Sequence, residues 1–317
     1  METALQITGT AAVIQAQELT DALAAQFISF IDAAPQSVAI YRAGTRKLLD
    51  WLSSKGITQP RRDDVLAYRD ELKANYKPTT VSLYMTAARL FFRWTDQQGF
   101  YPNIADNVKG AKLDREHKKE CLTSHAVKDV LQAAKGDTLA GLRDYAILAL
   151  MTTCGLRCIE VTRANIEDLR TVAAENTLAP AQYLQGKGRE EKTDFAKLPP
   201  QVAQAINAYL KARGKADSKA PLFASISHNS KGQRLTTRSV SRLVKGHLVA
   251  AGYDRATMTA HSLRHTAATL ALLNGETLGQ VQKMLRHANI NTTMIYEHAI
   301  ERAKSTCEYT VANAIFA

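Results

Sequence analysis

Cysteine is scarce in this chain. The four present, Cys121, Cys154, Cys158 and Cys307, are too few and too scattered for a disulfide scaffold. Cys154 and Cys158 could share a helix face, but a C-x3-C pair with no second pair is poor zinc spacing, so reduced, partly buried thiols are expected. Long apolar runs are missing as well: no uncharged stretch approaches the ~18 residues that span a bilayer. The opening METALQITGT has neither the basic start nor the apolar core of a secretory signal, so a cytoplasmic protein is expected. Repeats and low-complexity tracts are absent too. With 45% hydrophobic and 22% charged residues the composition excludes a disordered chain, and 317 residues leave room for two domains with their own cores.

Acidic charge is what the second part of the chain has little of. Residues 1–108 hold 11 Lys and Arg against 11 Asp and Glu, so the entire net charge of +11 lies in residues 109–317. Within that part, residues 209–255 carry ten basic side chains against only Asp217 and Asp254. A basic surface this concentrated favours a polyanionic partner, nucleic acid before membrane, because no amphipathic anchor or lipidation signal accompanies it. On charge alone a solvated basic face is the other reading.

The first 17 residues show no firm period. From Glu18 to Gly99 apolar residues recur at helical spacing in four blocks, with Gly56 and Gly99 at expected C-caps and Pro78 opening the fourth, which predicts a small all-α domain over 18–106. The segment NVKGAKLDREHKKECLT, from residue 107, has Gly, mixed charge and little apolar content, so 107–122 reads as a linker and 123–317 as a larger domain. There, GLRDYAILALMTTCG predicts a buried helix ended by Gly155, with Arg157 opening the next. Residues 178–185 and 192–198 read as two strands around the polar turn GKGREE, a hairpin. In TTRSVSRLVKGHLVAAG, Val240, Leu243, Val244 and Leu248 form an inner stripe, and Arg238, Arg242 and Lys245 an outer one. The expected fold is therefore α-rich with two domains: an all-α N-terminal domain and a mixed α/β domain, mainly helical with a small β-hairpin sheet.

In HSLRH, residues 261–265, a helix would gather His261, Arg264 and His265 on one side. H-x3-H is metal-ligand spacing, but Ser262 stands where a zinc protease has Glu, and an arginine among the ligands repels a cation; no metal is expected. Anion binding uses all the residue types, with Arg264 as a planar fork and His261 as a donor. His265 and His298 receive no chemistry and read as packing residues.

The ordered set GLRCIE (155–160), GKG (186–188), HSLRHTAATL (261–270) and MLRHANINTTMIYEH (284–298) resembles the tyrosine recombinases, the phage integrase family, over about 121–300, and more loosely the family's core-binding domain over the N-terminal helices. The resemblance implies a site-specific recombinase or integrase that cuts DNA through a 3′-phosphotyrosine and a Holliday junction, as a homotetramer at synapsis, with neither metal, ATP nor other cofactor. By position it implies that Arg157 and Arg264 grip the scissile phosphate, that Lys187 on the hairpin turn is the general acid, that His261 and His287 assist, and that Tyr296 is the nucleophile, with Glu160 supporting the site. The chemistry is self-consistent: a pentacoordinate phosphorus carries two equatorial charges that guanidiniums and imidazole neutralise, and a tyrosine hydroxyl conserves the bond energy in a reversible ester. Arg189 or Lys192 could replace Lys187 on that turn.

Arg238, Arg242 and Lys245, with Arg89 and Arg93 on the fourth helix, are the expected contacts to double-stranded DNA. The segment 299–317 predicts an amphipathic tail helix, which the family docks into a neighbouring protomer; folding back on its own domain is the alternative. A cytoplasmic, nucleoid-associated enzyme of mobile-element integration or excision follows, with a type IB topoisomerase or a non-catalytic DNA-binding protein as rivals. Two departures stand out: Arg286 replaces the family's usual glycine before His287, leaving open whether it reaches the phosphate or solvent, and the usual NP is absent from YPNIADNV.

Overall fold

The structure is a computed structural model that describes residues 18–112, 120–174, 177–185, 191–296 and 307–316. The chain divides into two compact units, residues 1–115 and 116–317.

The first unit is four helices: α1 (Asp21–Phe30), α2 (Pro35–Ser54), α3 (Arg62–Asn75) and α4 (Pro78–Gln97). Their starts follow from local chemistry. Thr20 caps α1 by accepting the Leu23 N–H at 3.2 Å, and Pro35 and Pro78 sit in first turns, where no amide partner is lost. Gly44 lets α2 close on α4, since a Cβ there would lie 2.5 Å from Ala87 Cβ. The core is aromatic, with the Phe27 ring 5.4 Å from Phe91 and 5.6 Å from Trp94. Of the segment expected as a linker, Val108 is buried in this core and its carbonyl accepts from Arg89 Nη1, whereas Leu122 is buried in the second unit and donates its N–H to Thr266 at 2.9 Å.

The second unit carries α5 (Ser124–Ala134), α6 (Leu139–Cys154), α7 (Cys158–Arg163), β1 (Leu169–Ala174), β2 (Thr177–Leu184), β3 (Asp194–Lys197), α8 (Pro200–Arg213), α9 (Thr237–Ala250), α10 (Ala260–Leu273) and α11 (Leu278–Leu285), then a helical segment over 291–296 and α12 (Cys307–Phe316). Helix α6 is apolar nearly all round and buried along most of its length, so it forms the unit's axis. The strands form one antiparallel sheet in the order β1-β2-β3, with Leu169 opposite Gln182 and Leu184 opposite Asp194. The hairpin read from sequence is β2–β3. Strand β1 goes beyond that reading, because only Val172 of its six residues is buried and no alternation announces it. No helix of the described residues is long and apolar enough to cross a membrane.

Candidate active site

The site begins where α6 stops. Gly155 takes φ +62, and a Cβ there would meet Leu285 Cδ2 at 2.7 Å, so this position both turns the chain and admits α11. The turn delivers Arg157 to the start of α7, where Glu160 reaches back: Oε2 accepts the Arg157 backbone N–H at 2.8 Å and Oε1 accepts Arg157 Nη1 at 2.8 Å. Arg264, in the first turns of α10, is 1% exposed and donates from Nη1 to the Gly155 carbonyl and from Nη2 to the Leu285 carbonyl. It thereby ties the end of α6 to the end of α11, with its cation beside the negative end of each helix.

Arg286 follows α11 in the left-handed region, φ +56, at a cost on the order of 1 kcal/mol relative to glycine. Its side chain turns inward, 6% exposed, and donates to Glu160 Oε2 at 2.9 Å and to the Met284 carbonyl at 2.7 Å. This resolves the alternative left by the sequence: Arg286 faces the arginine cluster, not solvent. Burial alone would raise the Glu160 pKa; Arg286, the Arg157 amide, Arg264 and Arg157 outweigh it and hold the carboxyl below its ordinary range. Burial first, then Arg157, lowers Arg264 to about 9, still above neutrality, so it stays charged.

His287 shares a 2.8 Å hydrogen bond between Nδ1 and Thr293 Oγ1. Burial, then Arg264, Arg157, Arg286 and His261, depress its pKa to about 4, so the ring is neutral at pH 7 and can place an N–H without adding charge. Tyr296, in the helical segment over 291–296, is 5% exposed; burial raises its hydroxyl to about 12 against the pull of Arg264 and Arg157. The phenol is therefore neutral and sits within electrostatic reach of both guanidiniums. His265 Nδ1 lies 2.6 Å from the Tyr296 hydroxyl in a buried hydrogen bond, and the His265 ring meets His261 edge-on at 4.5 Å. The sequence reading gave His265 only packing; its spacing from Arg264 carries no sign of a partner 31 residues downstream. His261 is exposed at the rim.

Of the six residues expected at the site, the structure thus gathers Arg157, Arg264, His287 and Tyr296 with Glu160 and Arg286, and places His261 beside them. Lys187, like Arg189 and His298, lies outside the described residues. Lys192, the other candidate at that turn, is ion-paired to buried Asp168. Among the described residues, no three His, Cys, Asp or Glu side chains are grouped to hold a metal. Cys154 donates to the Lys197 carbonyl at 3.3 Å, and burial pushes its thiol up to about 12, a packing role.

The expected DNA contacts differ in freedom. Arg238 and Arg242 are exposed on α9 and line a depression of about 890 Å³ that also touches Cys158, next to Arg157. Lys245 is engaged, with Nζ 2.9 Å from Asp254 and donating to the Arg255 carbonyl at 2.8 Å. In the first unit Arg93 is exposed, whereas Arg89 donates to the Val108 carbonyl at 3.2 Å and to Thr86 Oγ1 at 3.1 Å.

A centre that collects three guanidiniums around one carboxylate, beside a buried neutral tyrosine, is suited to phosphoryl transfer. Residues 120–302 match the phage integrase family, and residues 26–99 match the phage integrase N-terminal SAM-like domain. The chain belongs to the phage integrase family, the tyrosine recombinases, and is a site-specific DNA strand transferase. It is similar to the tyrosine recombinase slr0733 of Synechocystis, 30% identical over 236 residues that cover 74% of this chain and 72% of that one. It is also similar to the tyrosine recombinase XerD of Lacticaseibacillus casei, 29% identical over 287 residues, 87% of this chain and 93% of that one. In fold it is similar to the XerH site-specific recombinase bound to palindromic difH substrate in a post-cleavage complex, with TM-score 0.71 and 20% identity over 87% of this chain and 81% of that one.

Proposed function

We propose that Tyr296 is the nucleophile and that Arg157, Arg264, His287 and His261 hold the scissile phosphate. The phenolic oxygen attacks phosphorus, the bond to the 5′-oxygen breaks, and a 3′-phosphotyrosine conserves the ester for a second DNA end. As the bond forms the phenol proton passes to the imidazole of His265, whose Nδ1 lies 2.6 Å from the hydroxyl, and Lys187, by family position, delivers a proton to the 5′-oxygen. The observation that supports this reading is the 2.6 Å hydrogen bond between the Tyr296 hydroxyl and His265, the residue after Arg264, which keeps the phenol beside the arginine pair around Glu160 whose charges can offset those of the pentacoordinate phosphorus. A nicked suicide substrate, run in buffer with EDTA and resolved on a denaturing gel, tests it. The full chain forms a covalent adduct, and Tyr296→Phe forms none while keeping its DNA affinity within about threefold, because affinity rests on phosphate-backbone contacts elsewhere. A full-strength adduct in the variant sinks the assignment; adduct lost in EDTA and restored by a divalent ion sinks the metal-free chemistry.

The same proposal extends to assembly: a tetramer on paired sites, passing through a Holliday junction, with integration or excision of a mobile element at the nucleoid as its task. Helix α12 supports the assembly. Tyr309, Val311, Ile315 and Phe316 are 73, 55, 65 and 85% exposed, large apolar side chains without cover among the described residues. A cavity of about 1050 Å³ between α5, α6, β3, α10 and α11, lined by Leu131, Phe195, Leu270 and Met284, is the socket we assign to the α12 of a second copy. Deleting 300–317 then leaves DNA binding largely intact and removes cooperative assembly and strand exchange between two marked duplexes, measured by ultracentrifugation on site DNA and by a recombination assay. A truncated chain that assembles and exchanges like the full one overturns the tail's role.

A further inference from the structure

Arg286 is one of only two non-glycine residues at positive φ among the described residues, and it stands where the family usually has glycine. Its hydrogen bonding is incomplete: Nη1 donates to the Met284 carbonyl and Nη2 to Glu160, while Nε is buried with no hydrogen-bond partner among the described residues. What it does is occupy Glu160. The Glu160 side chain is 0% exposed, and its Oε2 accepts both the Arg157 backbone N–H at 2.8 Å and Arg286 Nη2 at 2.9 Å. A carboxylate oxygen has room for about two close donors. Arg264 Nη1 accordingly stops 3.9 Å from that oxygen, beyond hydrogen-bond reach, and hangs instead from the Gly155 and Leu285 carbonyls.

We propose that Arg286 is a positioning residue of the cleavage site: by filling Glu160 Oε2 it keeps Arg264 out of a closed ion pair and leaves its charge for the phosphate. The inference rests on the reading of Arg157 and Arg264 as phosphate ligands. With Arg286 in place the cluster holds three guanidiniums against one carboxylate; without it, one acceptor position on Glu160 opens about an ångström from where Arg264 already sits, and Arg264 closes onto it. The net positive charge facing the phosphate falls, and so does the stabilisation of a transition state that carries more negative charge than the ground state. Binding of duplex DNA, which depends on surface cations, is little affected.

The test uses the full chain and three substitutions. Glycine suits a φ of +56, so Arg286→Gly keeps the backbone. Its single-turnover adduct formation on the suicide substrate, measured per folded molecule, falls about tenfold or more, with site affinity within about threefold of the parent. Arg286→Lys restores part of the rate. In a Glu160→Gln background the glycine substitution adds little, because its effect runs through that carboxylate. A second measurement needs no cleavage: the His287 ring, whose titration in the free protein NMR follows, shifts upward in Arg286→Gly as a neighbouring cation is lost. A parental cleavage rate in Arg286→Gly, an unmoved His287 titration, or full additivity with Glu160→Gln overturns the proposal. An adduct that persists in Tyr296→Phe overturns the reading of the nucleophile instead, and leaves the His287 titration as the separate measure of Arg286.

Discussion

The two units bury different things. The first packs Phe27, Phe91, Phe92, Trp94 and Tyr68 around each other, and among the described residues its buried polar side chains besides tyrosine and tryptophan are the uncharged Thr45 and Thr95. The second has an aliphatic core and sinks Arg143, Glu160, Asp168, Arg264 and His265 into it, with the Arg286 side chain nearly as deep. Buried charge is poor cement, because desolvation cancels most of the attraction, and an aliphatic replacement of similar volume often stabilises. The first unit is built for rigidity; the second gives up stability to hold a charged centre ready.

Large-to-small changes separate these strategies most sharply. Phe91→Ala removes a fully buried ring and lowers the stability of the first unit by about 3–5 kcal/mol, leaving the cleavage rate per folded molecule unchanged. Glu160→Ala lowers the stability of the second by a similar ~3–5 kcal/mol, since it strands buried guanidiniums, and it suppresses cleavage as well. Calorimetry with single-turnover cleavage reads both. If Glu160→Ala costs under about 1 kcal/mol, the arginines are not coupled through that carboxylate and the contrast between the units fails.

Acid sharpens the comparison on a smaller scale. His287 titrates near 6.5 when unfolded and about 4 in the folded protein, so the unfolded chain takes up the proton first as pH falls. The stability present above pH 6.5 is lost progressively down to about pH 4, and the Glu160 contribution is lost as pH falls from the ordinary carboxylate range towards its lower folded value. After discounting for a half-buried ring, the His287 part is about 1–2 kcal/mol. The melting temperature of the second unit should fall between pH 7 and 5, and His287→Gln should flatten that fall; an equal slope in both proteins removes His287 from the account.

The smallest effect concerns the surface. Arg238→Ala and Arg242→Ala should each lower the log–log salt slope of DNA binding by about 0.9, and Lys245→Ala by less, because its ammonium is held by Asp254. In the first unit Arg93→Ala should act more strongly than Arg89→Ala, whose guanidinium is held by Val108 and Thr86. An unchanged slope in the double alanine variant of α9 means that this helix does not face DNA.

Helices with a clear apolar stripe and a glycine stop were legible in the sequence, because both signals are local: α4 ends before Gly99 and α6 before Gly155, each at positive φ. Strand β1 was not, since a single inward valine leaves no period to read. Arg157, Arg264, His287 and Tyr296 stood out through motif order. The hydrogen bond of His265 to Tyr296 and the inward turn of Arg286 were invisible, because each depends on a partner 31 or 126 residues away that no spacing encodes.

Those separations also set a timetable. Glu160 and Arg286 meet across 126 residues, and Arg264 and Gly155 across 109, so the entropy of closing long loops has to be met before any of these contacts gives a return. The helices of the first unit need no such closure for their turns. A refolding chain is therefore expected to complete the local helices of the first unit before the arginine cluster of the second closes, so an early refolding sample should show helix before it shows cleavage.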